Sequence, residues 1–396
     1  MVDLESLLFA LGVALPLAKI LGYAMERIKQ PAVIGEIIAG IILGPFAVGK
    51  FIEEVNFVSP AICEETEAIA KIGIILLLLL SGIETGIGEI RRAGKSGIIT
   101  SMFDVSIAFI FGYIVGSILG YDVLHCIAIG NIFTATSVGV TVKTLMDMNA
   151  LHTDVGELIL TVAVLDDILG IIVLSITLGR SSPEILLIKV VIFFLIFALI
   201  LFSIRKFHGI GSKLHLSRFI FSLSIAFCFI FSALALSLGL AAITGSFFAG
   251  LVLSTLPQRK AINDFVRRIG ELFFIPLFFV WVGASFDFSA LKGVGTLILY
   301  FLPFALAGKI IGCSLGAKVN RFRARDAIAV GIGMMPRMEV ALIVATTEIS
   351  MGIWSKTLAH QILAATIMLV IVSSFITPFL LKAVYKPEEK NEERRH

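Results

Sequence analysis

Apolar runs of about 20 residues follow one another along almost the whole chain, and that is the length an α-helix needs to cross a bilayer. Hydrophobic residues make up 58% of the 396 positions, charged residues 15%, and the mean hydropathy is +1.02. Helices of a large soluble protein would need polar faces, and these segments have none. The chain therefore reads as an all-α polytopic membrane protein with almost no soluble domain. Breaks at charged or Pro/Gly-rich positions divide it into thirteen expected spans: 4–23, 31–46, 66–84, 97–119, 123–146, 155–179, 184–204, 217–236, 239–256, 269–284, 292–316, 326–349 and 358–382. The division near Leu238 has the least to mark it, since the apolar stretch there is nearly continuous.

Several function classes drop out. A net charge of +3 without a basic-aromatic patch excludes nucleic acid as a partner. Cys63, Cys126, Cys228 and Cys313 are scattered, with no CxxC pair and no His at ligand spacing, so they read as small buried hydrophobes. Neither a resident metal nor a cofactor is expected. The start, "MVDLESLLFALGVALPLAKIL", carries acids where a secretion signal carries basic residues, and reads as a retained first span.

Loop charges orient the chain. Arg27 and Lys29, Arg91 to Lys95, Lys143, Arg205 to Arg218, Arg259 to Arg268, Lys318 to Arg325 and the tail from Lys382 fall on one side. The other side has only Lys50, Arg180, Lys292 and Lys356. Basic loops stay in the cytoplasm, which places the N-terminus outside, the C-terminus inside, and the protein in the plasma membrane.

The chain also repeats itself. "IGEIIAGIIL" from Ile34 resembles "TGSFFAGLVL" from Thr244, with Gly35/Gly245 and Gly40/Gly250 in register. "SGIETGIGEIRRAG" from Ser81 matches "VGASFDFSALKGVG" from Val282, aligning Gly82/Gly283, Arg91/Lys292 and Gly94/Gly295. Both matches relate a span to the seventh one after it. An odd offset inverts the copy, which is the plan of secondary transporters with sites on broken helices at mid-membrane.

The repeat directs attention to the fifth and twelfth spans. The fifth has Thr134, Thr136 and Ser137 halfway along, and the twelfth has Pro336, Arg337 and Glu339. Pro336 removes a backbone donor and clashes with the preceding turn, so it should break its helix. Freed backbone at that depth is tolerated only when buried in protein or lining a cavity. Two crossed broken helices would then form a site for a small ion.

"TVAVLDDILGIIVLS" sets Asp166 and Asp167 about twelve residues into the sixth span, roughly 18 Å deep. Ionisable groups at that depth cost at least about 2.5–3.5 kcal/mol and point to function. Neighbours on a helix diverge by about 100°, so one acid can face an ion while the other meets a different partner. Lys309, a lone cation in the eleventh span, is that candidate partner. Arg337 and Glu339 have two readings, as ion-handling groups or, preferred, as a structural charge pair within the broken helix together with Glu36; Asp104, Lys71 and Glu348 read as interfacial.

"VIGEIIAGIILGP", "TATSVGV", "VAVLDDILGII", "GLAAITGSFFAGLVLS", "FFIPLFFVWVGASFD" and "PRMEVALIVA" together resemble the monovalent cation:proton antiporters, over essentially the whole membrane region. The resemblance is to the aspartate-pair sodium/proton branch of the second cation:proton antiporter family. It implies six-helix inverted repeats with two crossed broken helices. Dimerisation would use 1–96 and 217–291, the ion-transporting core 97–180 and 292–384, with 181–216 as linker and 385–396 as a cytoplasmic tail. It further implies a homodimer, cation binding at Asp167, pairing of Asp166 with Lys309, and assistance from Thr134, Thr136 and Ser137. Met338 stands where relatives often have Gly, and Asp166 where potassium-efflux relatives commonly have Gln.

The expected function is exchange of sodium or lithium for protons by alternating access, an electrogenic transport with no enzymatic step. Sodium at Asp167 would weaken the Asp166–Lys309 pair and let Lys309 lose its proton. A potassium/proton exchanger of the same family is the alternative. An intramembrane aspartyl protease would need acids on separate helices and a GxGD motif, and a channel would not need the inverted repeat.

Overall fold

In the computed structural model, the described residues are 4–28, 30–45, 47–92, 94–137, 139–148, 150–151, 153–177, 183–206, 217–238, 240, 242–286 and 291–385. The described secondary structure is entirely helical: α1 (Leu4–Arg27), α2 (Ala32–Leu43), α3 (Cys63–Arg92), α4 (Gly94–Ile118), α5 (Val123–Thr134), α6 (Gly139–Asp147), α7 (Asp154–Thr177) and α8 (Pro183–Lys206). There follow α9 (Ser217–Ser237), α10 (Ala242–Leu253), α11 (Arg259–Ile269), α12 (Ile275–Ala284), α13 (Leu291–Val319), α14 (Ala324–Gly333), α15 (Glu339–Ser350) and α16 (Lys356–Val384). Among the described residues, seven helices are long and apolar enough to cross a membrane, with shorter apolar helices between them.

The chain forms two compact units. One comprises Met1–Arg92, Ile168–Thr296 and Leu342–Ala365; the other comprises Ala93–Asp167, Leu297–Ala341 and Thr366–His396.

In the first unit, bilayer solvation inverts the usual amphipathic pattern. Ala10, Ala14, Ala18 and Gly22 form the buried stripe of α1, whereas Leu4, Leu8 and Ile20 are more than 60% exposed. Lipid tails solvate leucine as well as a protein core does, so packing selects small residues that let backbones approach. The same logic gives the sequence repeat its physical content. Gly40 of α2 faces the Val280 carbonyl and Gly283 of α12 faces the Ile37 carbonyl, each too close for a Cβ. The inverted copy repeats this contact: Gly250 of α10 lies on the Leu79 carbonyl, and Gly82 of α3 on the Phe247 carbonyl.

Local chemistry refines the expected spans. Span 66–84 becomes α3, which runs on to Arg92 through Gly86, whose φ is +57°. The stretch near Leu238 divides into α9 and α10, as the reading of two spans requires. The basic segment before span ten, expected as a loop, is the amphipathic α11, with Arg267 ion-paired to Glu84 and, at 3.4 Å, to Glu271. Between α11 and α12 the helix widens, the Ile275 N–H donating to the Gly270 carbonyl five residues back. The wide turn absorbs Pro276, which has no N–H to donate.

In the second unit, Asp122 caps α5 by accepting from the His125 N–H at 3.1 Å. That exposed carboxyl, outside the spanning segments, is held below the usual range by its bonds to His125. The fifth and twelfth expected spans are each two helices, α5 and α6, and α14 and α15, interrupted at Ala135–Ser137 and Met334–Met338.

The glycine contacts predict that Gly283→Leu and Gly82→Leu both overpack their seams and lose at least about 1–3 kcal/mol. Gly12→Ala, where a Cβ meets nothing within 4 Å, should melt at or above the parent temperature. Thermal melts followed by size-exclusion in one detergent compare the three.

Candidate ion-binding site

The breaks in the two interrupted helices complete one another. A helix that stops leaves its last carbonyls without partners, and at mid-membrane no water replaces them. Arg337, fully buried, occupies the end of α5: Nη1 donates to the carbonyls of Phe133 and Ala135 and, at 3.4 Å, to that of Ile132. Nη2 reaches the Ala305 carbonyl of α13 at 3.0 Å. Its own N–H donates to Ser373 Oγ of α16 at 2.9 Å. The guanidinium thus stands where the next turn of α5 would have been, and its charge opposes the negative end of the helix dipole. In return, Thr141 Oγ1 of α6 donates to the Gly333 carbonyl at the end of α14, at 2.6 Å. The Ser137 N–H donates to the Pro336 carbonyl at 3.0 Å, tying one break to the other.

Asp166, midway along α7, lies against this crossing. Its Oδ1 accepts from Ser101 Oγ of α4 at 2.5 Å, and its Oδ2 from Thr136 Oγ1 at 3.2 Å and Lys309 Nζ at 2.9 Å. Lys309 donates a second bond, at 2.5 Å, to Asp104 Oδ2 of α4. All three charged side chains are buried, and an ammonium between two carboxylates is the pairing that burial demands.

A ridge of glycines makes this meeting possible. Gly308, Gly312 and Gly316 lie one turn apart on α13, opposite Ala108, Asp104 and Thr100 of α4. A Cβ on Gly312 would sit 2.9 Å from the Asp104 Cα, and one on Gly316 2.6 Å from the Thr100 Cα. Close approach at this ridge brings Lys309, the residue after Gly308, onto Asp104 without reaching.

The residues singled out from sequence are distributed as follows. Asp166, Lys309 and Thr136 meet directly. Thr134 turns instead to the Asn131 carbonyl of its own helix, at 2.8 Å. Ser137 joins through its backbone, its side chain being buried. The side chains of Asp167 and Glu339 lie outside the described residues. Glu36 corrects an expectation: its ion-pair partner is Lys19, at 3.3 Å, while Arg337 satisfies carbonyls. The carbonyls left by a broken helix claimed the guanidinium, and that demand is invisible in a list of charges.

Asp104 is a second correction. Read as interfacial, it is fully buried, as is Glu348, which accepts from Trp354 Nε1 at 3.3 Å. Lys71 is exposed, bonded to Glu67 at 2.7 Å. Ser101 and Asp104 are the functional candidates missed by the sequence reading. A signal was present: both sit one turn apart within a 25-residue apolar helix, and the glycine ridge at 308, 312 and 316 marks where α13 must pack.

A family model described as "Sodium/hydrogen exchanger, transmembrane" matches residues 12–386. The chain belongs to the sodium/hydrogen exchanger family. The exchanger is 30% identical over 390 residues to the Na(+)/H(+)-K(+) antiporter GerN of Bacillus cereus, covering 96% of this chain and 97% of that one. It is 31% identical over 366 residues to a Na(+)/H(+) antiporter of Enterococcus hirae, covering 90% and 92%. Its fold matches the sodium proton antiporter MjNhaP1 of Methanocaldococcus jannaschii with a TM-score of 0.75 at 19% identity, over 96% of this chain and 98% of that one. The exchanger therefore has the sodium/proton antiporter fold.

The ion-pair geometry makes a stability prediction. Lys309→Gln strands buried carboxylates and should cost on the order of 3–5 kcal/mol. Adding Asp166→Asn to it should restore part of the loss. Thermal melts of the single and double variants in one detergent measure this coupling, and strictly additive losses would remove it.

Proposed function

We propose that this protein exchanges sodium ions for protons across the membrane at the Asp166–Asp167 region, where α7 meets the crossing of the two interrupted helices. The observation that carries the reading is Asp166 itself: a buried carboxylate at mid-span, held by an ammonium and two hydroxyls. Hard monovalent cations want oxygen ligands, and carboxylate, hydroxyl and carbonyl oxygens are what this place offers. A proton and a cation compete for the same carboxylate oxygens, so occupancy by one expels the other. That competition is the elementary step of antiport.

Asp167 is assigned as the cation ligand and Asp166 as the acid paired with Lys309, with Thr136 and the Ser137 backbone shaping the crossing. Two proton-linked groups emptied per cation make exchange electrogenic, driven by the membrane potential at about 2.3 kcal/mol per charge per 100 mV. The segments 97–180 and 292–384 act as the core that carries the ion, and 1–96 and 217–291 as the scaffold of a homodimer. The outward apolar face of α1, with Leu4, Leu8 and Ile20 exposed, supports such a contact or a lipid one. The bias of basic residues toward one set of loops supports a cytoplasmic C-terminus and a plasma-membrane location.

Potassium is a second cargo to consider, since the relative from Bacillus cereus is named for both ions.

Everted vesicles carrying the protein should release protons when given sodium or lithium and not when given potassium. Asp167→Asn should abolish that release while expression and oligomeric state hold. Normal exchange with unchanged sodium affinity in this variant would remove Asp167 as the ligand, and a potassium response equal to sodium's would establish the wider cargo.

A further inference from the structure

We propose that Lys309 has one permanent counter-ion and one exchangeable one: Asp104 holds the ammonium throughout transport, while Asp166 leaves it to take up a proton or to turn toward the cation. The proposal rests on the assignment of exchange to the Asp166 region and adds a residue that assignment does not use.

The two carboxylates differ in what remains if Lys309 departs. Asp166 keeps two donors, Ser101 on Oδ1 and Thr136 on Oδ2. Asp104 keeps only the weak thiol donor of Cys313: Oδ2 is bonded to Lys309, and Oδ1 is buried with no hydrogen-bond partner among the described residues. An ionised Asp104 parted from Lys309 would be left with one thiol in the membrane interior, whereas Asp166 would keep two hydroxyl donors. The glycine ridge reinforces the difference, because Gly312 abuts the Asp104 backbone and locks this carboxylate beside Lys309. Asp166 enters from a third helix. The geometry therefore divides the lysine's bonds into a fixed leg along the α4–α13 seam and a movable leg to α7.

Charge balance follows. Asp166, Cys313 and Arg337 are the other titratable or charged groups in the field of the Lys309–Asp104 pair. Arg337 is committed to backbone carbonyls and stays charged. With Asp104 in place Lys309 also stays charged, so of the two protons released when a cation enters, one comes from the Asp166 carboxyl and the other from Asp167, and none from the ammonium. The Asp166 O–H bond breaks, the proton passes to the aqueous side, and the carboxylate formed is taken up by Ser101, Thr136 and the arriving positive charge.

Asp104→Asn preserves shape and removes one negative charge. Removing a negative charge beside the site disfavours its proton-loaded form, so the midpoint at which exchange switches on with rising pH should move toward acid by on the order of one pH unit. On the alkaline plateau the sodium KM should change by less than about twofold, since Asp104 is a positioning residue and no ligand. Asp104→Glu keeps the charge and should keep the parent midpoint. The assay is sodium-driven proton movement in proteoliposomes across pH, for the parent and both variants. An unmoved midpoint in active Asp104→Asn, an equal shift in Asp104→Glu, or a tenfold rise in plateau KM would each overturn the proposal. These outcomes leave the site assignment standing, which fails separately if Asp167→Asn and Asp166→Asn transport normally. Should Asp104→Asn prove too unstable to assay, Lys309→Gln and Asp104→Asn/Lys309→Gln are melted side by side. The double variant should melt higher, because it leaves one fewer stranded acid, and a double melting no higher than the single overturns the proposal.

Discussion

Lys309 between two carboxylates is the interaction on which the rest of the second compact unit depends. Placing Asp166 at mid-span costs several kcal/mol unless its charge is met inside the protein. The lysine meets it, but a lone lysine at that depth brings the same problem. Asp104 gives the ammonium a second bond, and the nearby Arg337 guanidinium balances the negative charge that this adds. Three helices, α4, α7 and α13, are joined at this point by bonds of 2.5 and 2.9 Å, and their register follows from it.

The crossing of the interrupted helices obeys the same rule with backbone groups in place of side-chain charges. A chain can stop being helical inside a bilayer only if each freed carbonyl finds a donor. Arg337 supplies donors to the end of α5, and Thr141 to the end of α14. The two ends are satisfied by different chemistry, although the halves descend from one inverted pattern. Thr136 and Arg337 stand at matching places in the repeat, 201 residues apart like Gly82 and Gly283. One turned to the acid and the other to the backbone. Symmetry of the scaffold thus coexists with asymmetry of the site, as transport of a cation requires.

Packing elsewhere follows from the solvent. On α1, leucine and isoleucine face outward and alanines face inward, because lipid offers no reward for hiding a leucine. Gly40 with Gly283 and Gly82 with Gly250 are one contact made twice, each time between the two halves. The ridge of Gly308, Gly312 and Gly316 applies the same device to the site, where its product is a charged contact.

The amino-acid sequence by itself determined where helices lie, that two of them break, that the halves are inverted copies, and that Asp166 and Lys309 sit too deep to be structural accidents. These are local properties: hydropathy over a span, a proline's missing donor, the cost of a charge at a given depth. Only the tertiary structure decided that Asp104 belongs to the cluster, that Ser101 completes the shell of Asp166, that Glu36 pairs with Lys19, and that Arg337 serves carbonyls. Each depends on the depth and rotation at which two distant helices meet. Those follow from close contacts such as Gly312 on Asp104, which exist only once the backbones have approached.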